Sequence, residues 1–358
     1  MILKSAPSLF SRRLSSSCQV NNRNKPSSST IGSLLIGQQR QTNHRRDFLA
    51  KTMTLSTLSS QKSWPKVTLY GDLTMRPFRN IWMLEEIGLP YKHVMCKPWS
   101  KIAKSVHPLG KVPALSVEYH VNEGIAKEKE GEETQEFVVV ESAAINTFLG
   151  DAFRNHTTTV ADNSDDIQPH RQSALVPPPS MPQLRAKYDS LILFVMTEID
   201  SQSLWIHRKH SNLSNVFGEA PGAVMEARRQ FDNALDAMIH EITIAGEEDE
   251  NNPSLKDGDG DGGGCCHYLL PTGFSAVDIL FVHCCSWAQQ IGWLEGNNGT
   301  SIHTSTMGNS DENAPKPLTP KLEAYLKQCR SRPAFMRATG LRKNQVDEKK
   351  KRPINSKL

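Results

Sequence analysis

The stretch "HPLGKVPAL", His107 to Leu115, places a proline where a β-strand begins. A proline donates no backbone hydrogen bond, so the interior of a sheet excludes it except at a strand's first residue or at a bulge. Beyond it, Ala114-Leu115-Ser116-Val117 has the composition of a strand, and Gly110 before it marks a turn. Pro113 therefore needs a reason, and the reason has to come from the elements around it.

From Lys66 the chain spells out those elements. "KVTLY" reads as a strand. A helix is expected from Pro77, with Phe78, Ile81, Leu84 and Gly88 on one face. "YKHVMC" reads as a second strand, "VPALSV" as a third and "FVVV" as a fourth, and a last short helix runs from Ser142 to Leu149. The polar segment between strands two and three has room for a short helix. The order βαβ, then ββα, describes a small α/β sandwich of thioredoxin type over 66–150, with one parallel pair and a closing antiparallel hairpin. The charged run Asn122 to Glu136 lengthens that hairpin as a solvated loop. In folds of this type a proline ahead of the third strand takes the cis peptide, which is uncommon in general. The bend exposes the main-chain N–H and C=O of the preceding residue to a thiol-bearing ligand. Glu141 and Ser142 begin the helix after strand four, where a hydroxyl and helix-terminal N–H groups can hold a carboxylate.

Residues 151–183 read as a linker ending in "VPPPSMP", and 184–340 as an all-helical domain. Leu184, Tyr188, Leu191, Val195 and Ile199 form one apolar stripe, and Val224 to Ile244 another. A third, from Val277 to Ile291, is wide enough to be buried on more than one side. Polar insertions near 246–264 and 295–316 separate the helices, and "KLEAYLKQC" and "RPAFMRA" suggest a final pair. In "GFSAVDI", Ser275 and Asp278 have the spacing of a capping box, flanked by Phe274 and Ile279 as a hydrophobic staple.

Charge is unevenly spread over the 358 residues. Residues 1–60 hold nine Lys and Arg and one acid, and residues 341–358 hold seven and two, so a formal +4 leaves the middle acidic. An acidic globular part repels a phosphate backbone, so nucleic-acid binding is not expected. No apolar run is long enough to cross a bilayer, so no membrane insertion is expected either. Seven cysteines, with Cys265-Cys266 and Cys284-Cys285 vicinal, do not resemble a disulfide framework and fit a reducing compartment.

The ends carry the targeting signals. Residues 1–65 are poor in acids and rich in Ser and Arg, the composition of a disordered extension and of an organelle transit peptide, unless translation starts at Met53. Residues 341–358 form a basic tail ending in Ser356-Lys357-Leu358, the peroxisomal address. Peroxisome therefore competes with mitochondrion or plastid, with the cytoplasm as the default.

Taken in order, "LYGDLTMRPFRNIWMLEEIGLPYK", "HPLGKVPAL" and "VVVESAAI" resemble the N-terminal half of a soluble glutathione transferase. "YLLPTGFSAVDILFVHCCSWAQQIGWL" and "KLEAYLKQCRSRPAFMRA" resemble its helical half. The similarity spans most of 66–340 and is nearest to bacterial and fungal-type branches. It implies a detoxifying homodimeric enzyme that uses glutathione as co-substrate, needs no cofactor or metal, and attacks a hydrophobic electrophile. It also implies that Val112, ahead of Pro113, pairs with the cysteinyl unit of glutathione. Glu141 and Ser142 then hold the γ-glutamyl end, and Lys111 the glycine carboxylate. His107 departs from the pattern, which usually has Asn there. Tyr188, Trp205 and Phe281 are candidates for an apolar wall around the electrophile. Two rivals stay open: a catalytically weak binding protein, and a protein-interaction module on the same fold.

Activation of the thiol is the least determined feature. A free thiol of pKa near 8.5 is only about 3% thiolate at pH 7. The resemblance places a hydroxyl residue directly before the position of Arg76, but Met75 stands there, with Thr74 one residue earlier. Thr74 is the expected hydroxyl donor, assisted by the first helix's N-terminal N–H groups and the field of Arg76. No Cys-x-x-Cys is present, which excludes dithiol redox chemistry of that type. "DGDGDG" at Asp257 starts like a calcium loop, but its twelfth position is Tyr268. "CCH" and "HCC" lack zinc-ligand spacing, and Cys284 falls on the apolar stripe, so no metal is expected.

Overall fold

The computed structural model describes residues 65–120, 134–154, 174–250, 268–296 and 314–351, all within one compact unit, Thr54–Leu358. The transit-like segment, the Ser356-Lys357-Leu358 end, "DGDGDG" and "CCH" lie outside the described residues.

The first domain runs β1 (Lys66–Tyr70), α1 (Pro77–Ile87), β2 (Tyr91–Val94), α2 (Lys101–Val106), β3 (Ala114–His120), β4 (Thr134–Val140) and α3 (Ser142–Ala152). Strand order is β2-β1-β3-β4, with β1 parallel to β2 and the other pairs antiparallel. This is the expected thioredoxin-like sheet. Val67 and Leu69 of β1, with Leu115 and Val117 of β3, are buried against α1, whose Ile81, Trp82, Met83 and Leu84 are fully inside. Pro77 opens α1 where a missing N–H costs nothing, and Gly88 closes it at φ 70°, with its N–H bonded to the Leu84 carbonyl.

The helical domain comprises α4 (Pro182–Phe194), α5 (Trp205–His207), α6 (Ser214–Phe217), α7 (Pro221–Glu250), α8 (Ala276–Gln290), α9 (Pro320–Arg330) and α10 (Pro333–Lys351). Between α4 and α6 the chain is wound as a π-helix over Val195–Leu204 and again over Arg208–Asn212. α8 is the central helix, buried almost continuously from Ala276 to Val282. Its capping box forms as expected: Asp278 accepts from the Ser275 N–H at 2.8 Å, and its other oxygen accepts from Tyr325 Oη at 2.7 Å. α7 extends to Glu250 and α10 to Lys351, so parts of the segments read as insertion and basic tail are helical.

Candidate functional site

Three chain turns meet at one end of the sheet: the β1–α1 loop, the approach to β3, and the β4–α3 junction. Register sets the last two side by side. Ala114 pairs with Val140, so Val112-Pro113 and Glu141-Ser142 continue outward from one rung of the ladder. The Val112-Pro113 peptide is cis. The N–H and C=O of Val112 make no backbone hydrogen bond among the described residues. Glu141 turns the chain with φ 71° and ψ 125°, and no side chain caps the N-terminus of α3 behind it. Unpaired main-chain groups thus lie beside an uncapped helix N-terminus, where N–H groups attract anions.

Gly71 couples the third turn to the other two. Its φ of 140° suits glycine, and a Cβ there would fall 2.3 Å from Pro77 Cγ and 3.1 Å from Val112 Cβ. Its carbonyl accepts from His93 Nε2 at 2.8 Å. Behind β3, His107 Nδ1 accepts from the Leu109 N–H at 3.0 Å, and the Gly110 carbonyl accepts from Trp99 N. The imidazole nitrogen does what the Oδ1 of an asparagine does in an Asx turn, which accounts for a His at this position. The loop so held leaves Lys111 exposed and Val112 half-buried.

The expected activating groups are both engaged. Thr74 is exposed, and its hydroxyl donates to Asp72 Oδ1 at 2.8 Å, as does its N–H at 3.0 Å. The other Asp72 oxygen accepts from Lys349 Nζ at 2.6 Å, while Gln345 Oε1 accepts from Leu73 N at 2.9 Å. The last turns of α10 therefore grip the β1–α1 loop. Burial pushes the Asp72 carboxyl up, but bonds from Lys349 and Thr74 outweigh it and hold it below the usual range.

Arg76 departs from expectation more strongly. Its guanidinium is a two-pronged partner of Asp200 and lies 5.1 Å from the Trp205 ring centre and 5.3 Å from that of Trp287. It ties the two domains together, and its charge is already matched. Asp200 is shared with Arg79, whose Nη2 donates at 2.5 Å and which is wholly buried. Burial raises the Asp200 carboxyl pKa, but the guanidiniums of Arg79 and Arg76 outweigh it and hold the group well below the usual carboxylate range. Arg79 also reaches His283 Nδ1 at 3.1 Å, Cys284 Sγ at 3.2 Å and Ser142 Oγ at 3.5 Å. Ser142, almost fully buried, is thereby held next to a cation.

Two of the three apolar-wall candidates are corrected. Tyr188 is fully buried, sharing a 2.7 Å hydrogen bond with Thr147, and burial raises its phenol pKa. Phe281 is fully buried against Tyr325. Both are core, because the faces carrying them pack inward. Trp205 is half-buried, with the Arg76 guanidinium over its ring. Cys284 and Cys285 are core as well, and burial pushes the Cys284 thiol up to about 12. Sequence reasoning missed Arg79 and Asp200. Two arginines three residues apart at the start of α1, just ahead of the apolar run Ile81 to Leu84, were the available sign that an acid had to meet them.

Residues 77–152 match the family described as glutathione S-transferase, N-terminal domain. Among solved structures, Ure2p5 from Phanerochaete chrysosporium, cocrystallised with 1-(S-glutathionyl)-2,4-dinitrobenzene, aligns with a TM-score of 0.50. That alignment has 12% identity over 80% of this chain and 98% of that one. Ure2p in complex with glutathione aligns at TM-score 0.48 and 16% identity, over 78% and 100% of the two chains. Glutathione transferase Omega 2S from Trametes versicolor aligns at 0.41 and 18%, over 81% and 98%. No curated protein sequence matches the chain. At these identities the structural likeness concerns the fold alone. A thioredoxin-like domain followed by a helical domain defines the class: a two-domain protein of the glutathione transferase fold. Over 77–152 the first domain is similar to the N-terminal domain of glutathione S-transferases.

Proposed function

We propose that the protein binds glutathione and transfers it to a hydrophobic electrophile. One observation carries the reading: the unpaired main chain of Val112 beside the uncapped N-terminus of α3. An extended cysteinyl unit matches the first and a γ-glutamyl carboxylate the second, with Ser142 beneath it and Lys111 near the glycine end. In this reading Thr74 turns its hydroxyl from Asp72 to the sulfur. Giving up a hydrogen bond to a carboxylate costs about 1.5–3 kcal/mol, which offsets much of the gain at the thiolate. Activation is accordingly modest.

A second reading, a glutathione binder with little turnover, is favoured by the engagement of Thr74 with Asp72 and of Arg76 with Asp200. Retention on immobilised glutathione followed by a conjugation assay with a general aryl halide separates the two. Retention with turnover supports the transferase and retention alone the binder. Neither leaves an interaction module on this fold. In the transferase, Thr74→Val lowers turnover at least about tenfold and raises the pKa of bound glutathione. Values within twofold of the parent remove Thr74 from the mechanism.

A further inference from the structure

On the buried side of the α3 N-terminus lies a polar pair that helix packing does not require. Asn80 of α1 and Asn146 of α3 are both fully buried. Asn80 Nδ2 donates to the main-chain carbonyl of Ser142 at 3.0 Å and to Asn146 Oδ1 at 2.7 Å. A carbonyl only accepts, so the bond to Ser142 decides which end of the Asn80 amide is the nitrogen. The remaining atoms, Asn80 Oδ1 and Asn146 Nδ2, are buried with no hydrogen-bond partner among the described residues. Unpartnered buried groups weaken a fold, and two leucines, which share the branching of Asn, would fill the same place without them. Packing alone therefore does not account for the pair, and what it holds is Ser142.

The bond from Asn80 lands where it bears on an anion. Ser142 is the first residue of α3, and its carbonyl shares a planar trans peptide with the Ala143 N–H, which points the opposite way. The helical N–H to carbonyl bonding of α3 begins only with Ile145 N and the Glu141 carbonyl, and the Ala143 N–H makes no hydrogen bond among the described residues. Pinning the carbonyl from inside thus aims this donor outward from the helix start. Arg79, next to Asn80, reaches Ser142 Oγ through its Nη1 at 3.5 Å, so that oxygen is an acceptor as well. Ser142 donates its hydroxyl to none of the described residues, and that hydrogen is left for a ligand.

We infer that Asn80 is a positioning residue of the glutathione site: by holding the Ser142 carbonyl it aims the Ala143 N–H at the γ-glutamyl carboxylate, beside the Ser142 hydroxyl. Asn80 takes this part only if the glutathione reading holds, and it orders the anion-binding turn of that same site.

Two probes titrated calorimetrically into the full chain provide the test: glutathione, and the analogue whose γ-glutamyl α-carboxylate is a carboxamide. The parent should bind glutathione at least about tenfold more tightly than the amide. Asn146→Leu leaves the Asn80 bond to Ser142 in place and should keep that preference within about twofold. Asn80→Leu with Asn146→Leu removes the bond together with both unpartnered atoms. This double variant should melt within about 3 °C of the parent or above it. It should nevertheless bring the two probes to within about threefold of each other, with its affinity for the amide within about twofold of the parent's. A double variant that keeps the full preference overturns the inference, as does an Asn146→Leu variant that loses as much. A double variant that weakens both probes alike, or melts far below the parent, makes the pair structural and overturns it too. Equal binding of the two probes by the parent overturns the role of Asn80 and leaves glutathione binding standing. If neither probe binds the parent, the glutathione reading falls and the role of Asn80 falls with it.

Discussion

Replacing Asp200 by Asn tests how the two domains are held together. Asp200 is buried, meets a wholly buried Arg79, and meets an Arg76 whose side chain is 25% exposed. At an effective dielectric of about 20, each charge contact near 4 Å is worth about 4 kcal/mol before desolvation. Removing the shared acid strands two cations, and breaking a buried pair in this way costs about 3–5 kcal/mol. At about 2–4 °C per kcal/mol for a domain of this order of size, Asp200→Asn should lower Tm by roughly 6–20 °C in a thermal melt at pH 7. The carboxylate contributes most above its unfolded pKa, near 3.9. Because Arg79 and Arg76 depress its folded value, that contribution is lost as pH falls below about 4 toward the folded value. The gap between parent and variant should therefore narrow in acid. Apolar replacement of the fully buried pair, Asp200→Leu with Arg79→Met, leaves only the partly exposed Arg76 without its acid and should recover to within about 2 kcal/mol of the parent. A single variant that melts within about 2 °C of the parent would refute the reasoning, as would a double variant no better than the single.

The site itself yields further expectations. Gly71→Ala places a methyl 2.3 Å from Pro77 Cγ at a φ of 140°, and should cost about 1–3 kcal/mol or more in urea unfolding while weakening glutathione affinity. Unchanged affinity would separate Gly71 from the site. His107→Asn preserves the acceptor for the Leu109 N–H, whereas His107→Ala leaves that N–H unmatched at a cost of about 1–3 kcal/mol. Equal losses in the two variants would show that the imidazole is held for its shape instead.

Much of the first domain was legible in the sequence because short strands and turn residues leave local signals. Pro113 at a strand start, Pro77 at the start of a helix, and Glu141-Ser142 after "FVVV" fall where the fold requires them. The helical half was less legible. Asp200 lies in a π-helical stretch, where the 3.6-residue period that sorts inward from outward faces no longer holds. Tyr188 and Phe281 carry the same signal whether an aromatic faces a cleft or the core. α10 runs past residue 340 although its composition is that of a solvated tail. What fixes it is distant in sequence: Arg332 on Glu86, Arg337 on Glu85, Arg342 over Phe78, and Lys349 on Asp72.

The central claim, a glutathione site built on Val112 and the N-terminus of α3, is tested most directly by a crystal structure of the full chain with glutathione. The account predicts the cysteinyl main chain paired with the N–H and C=O of Val112 at about 2.9 Å. It also predicts the γ-glutamyl carboxylate at the α3 N-terminus beside Ser142, with the sulfur facing the β1–α1 loop. Glutathione bound elsewhere, or an empty site at saturating concentration, would contradict it.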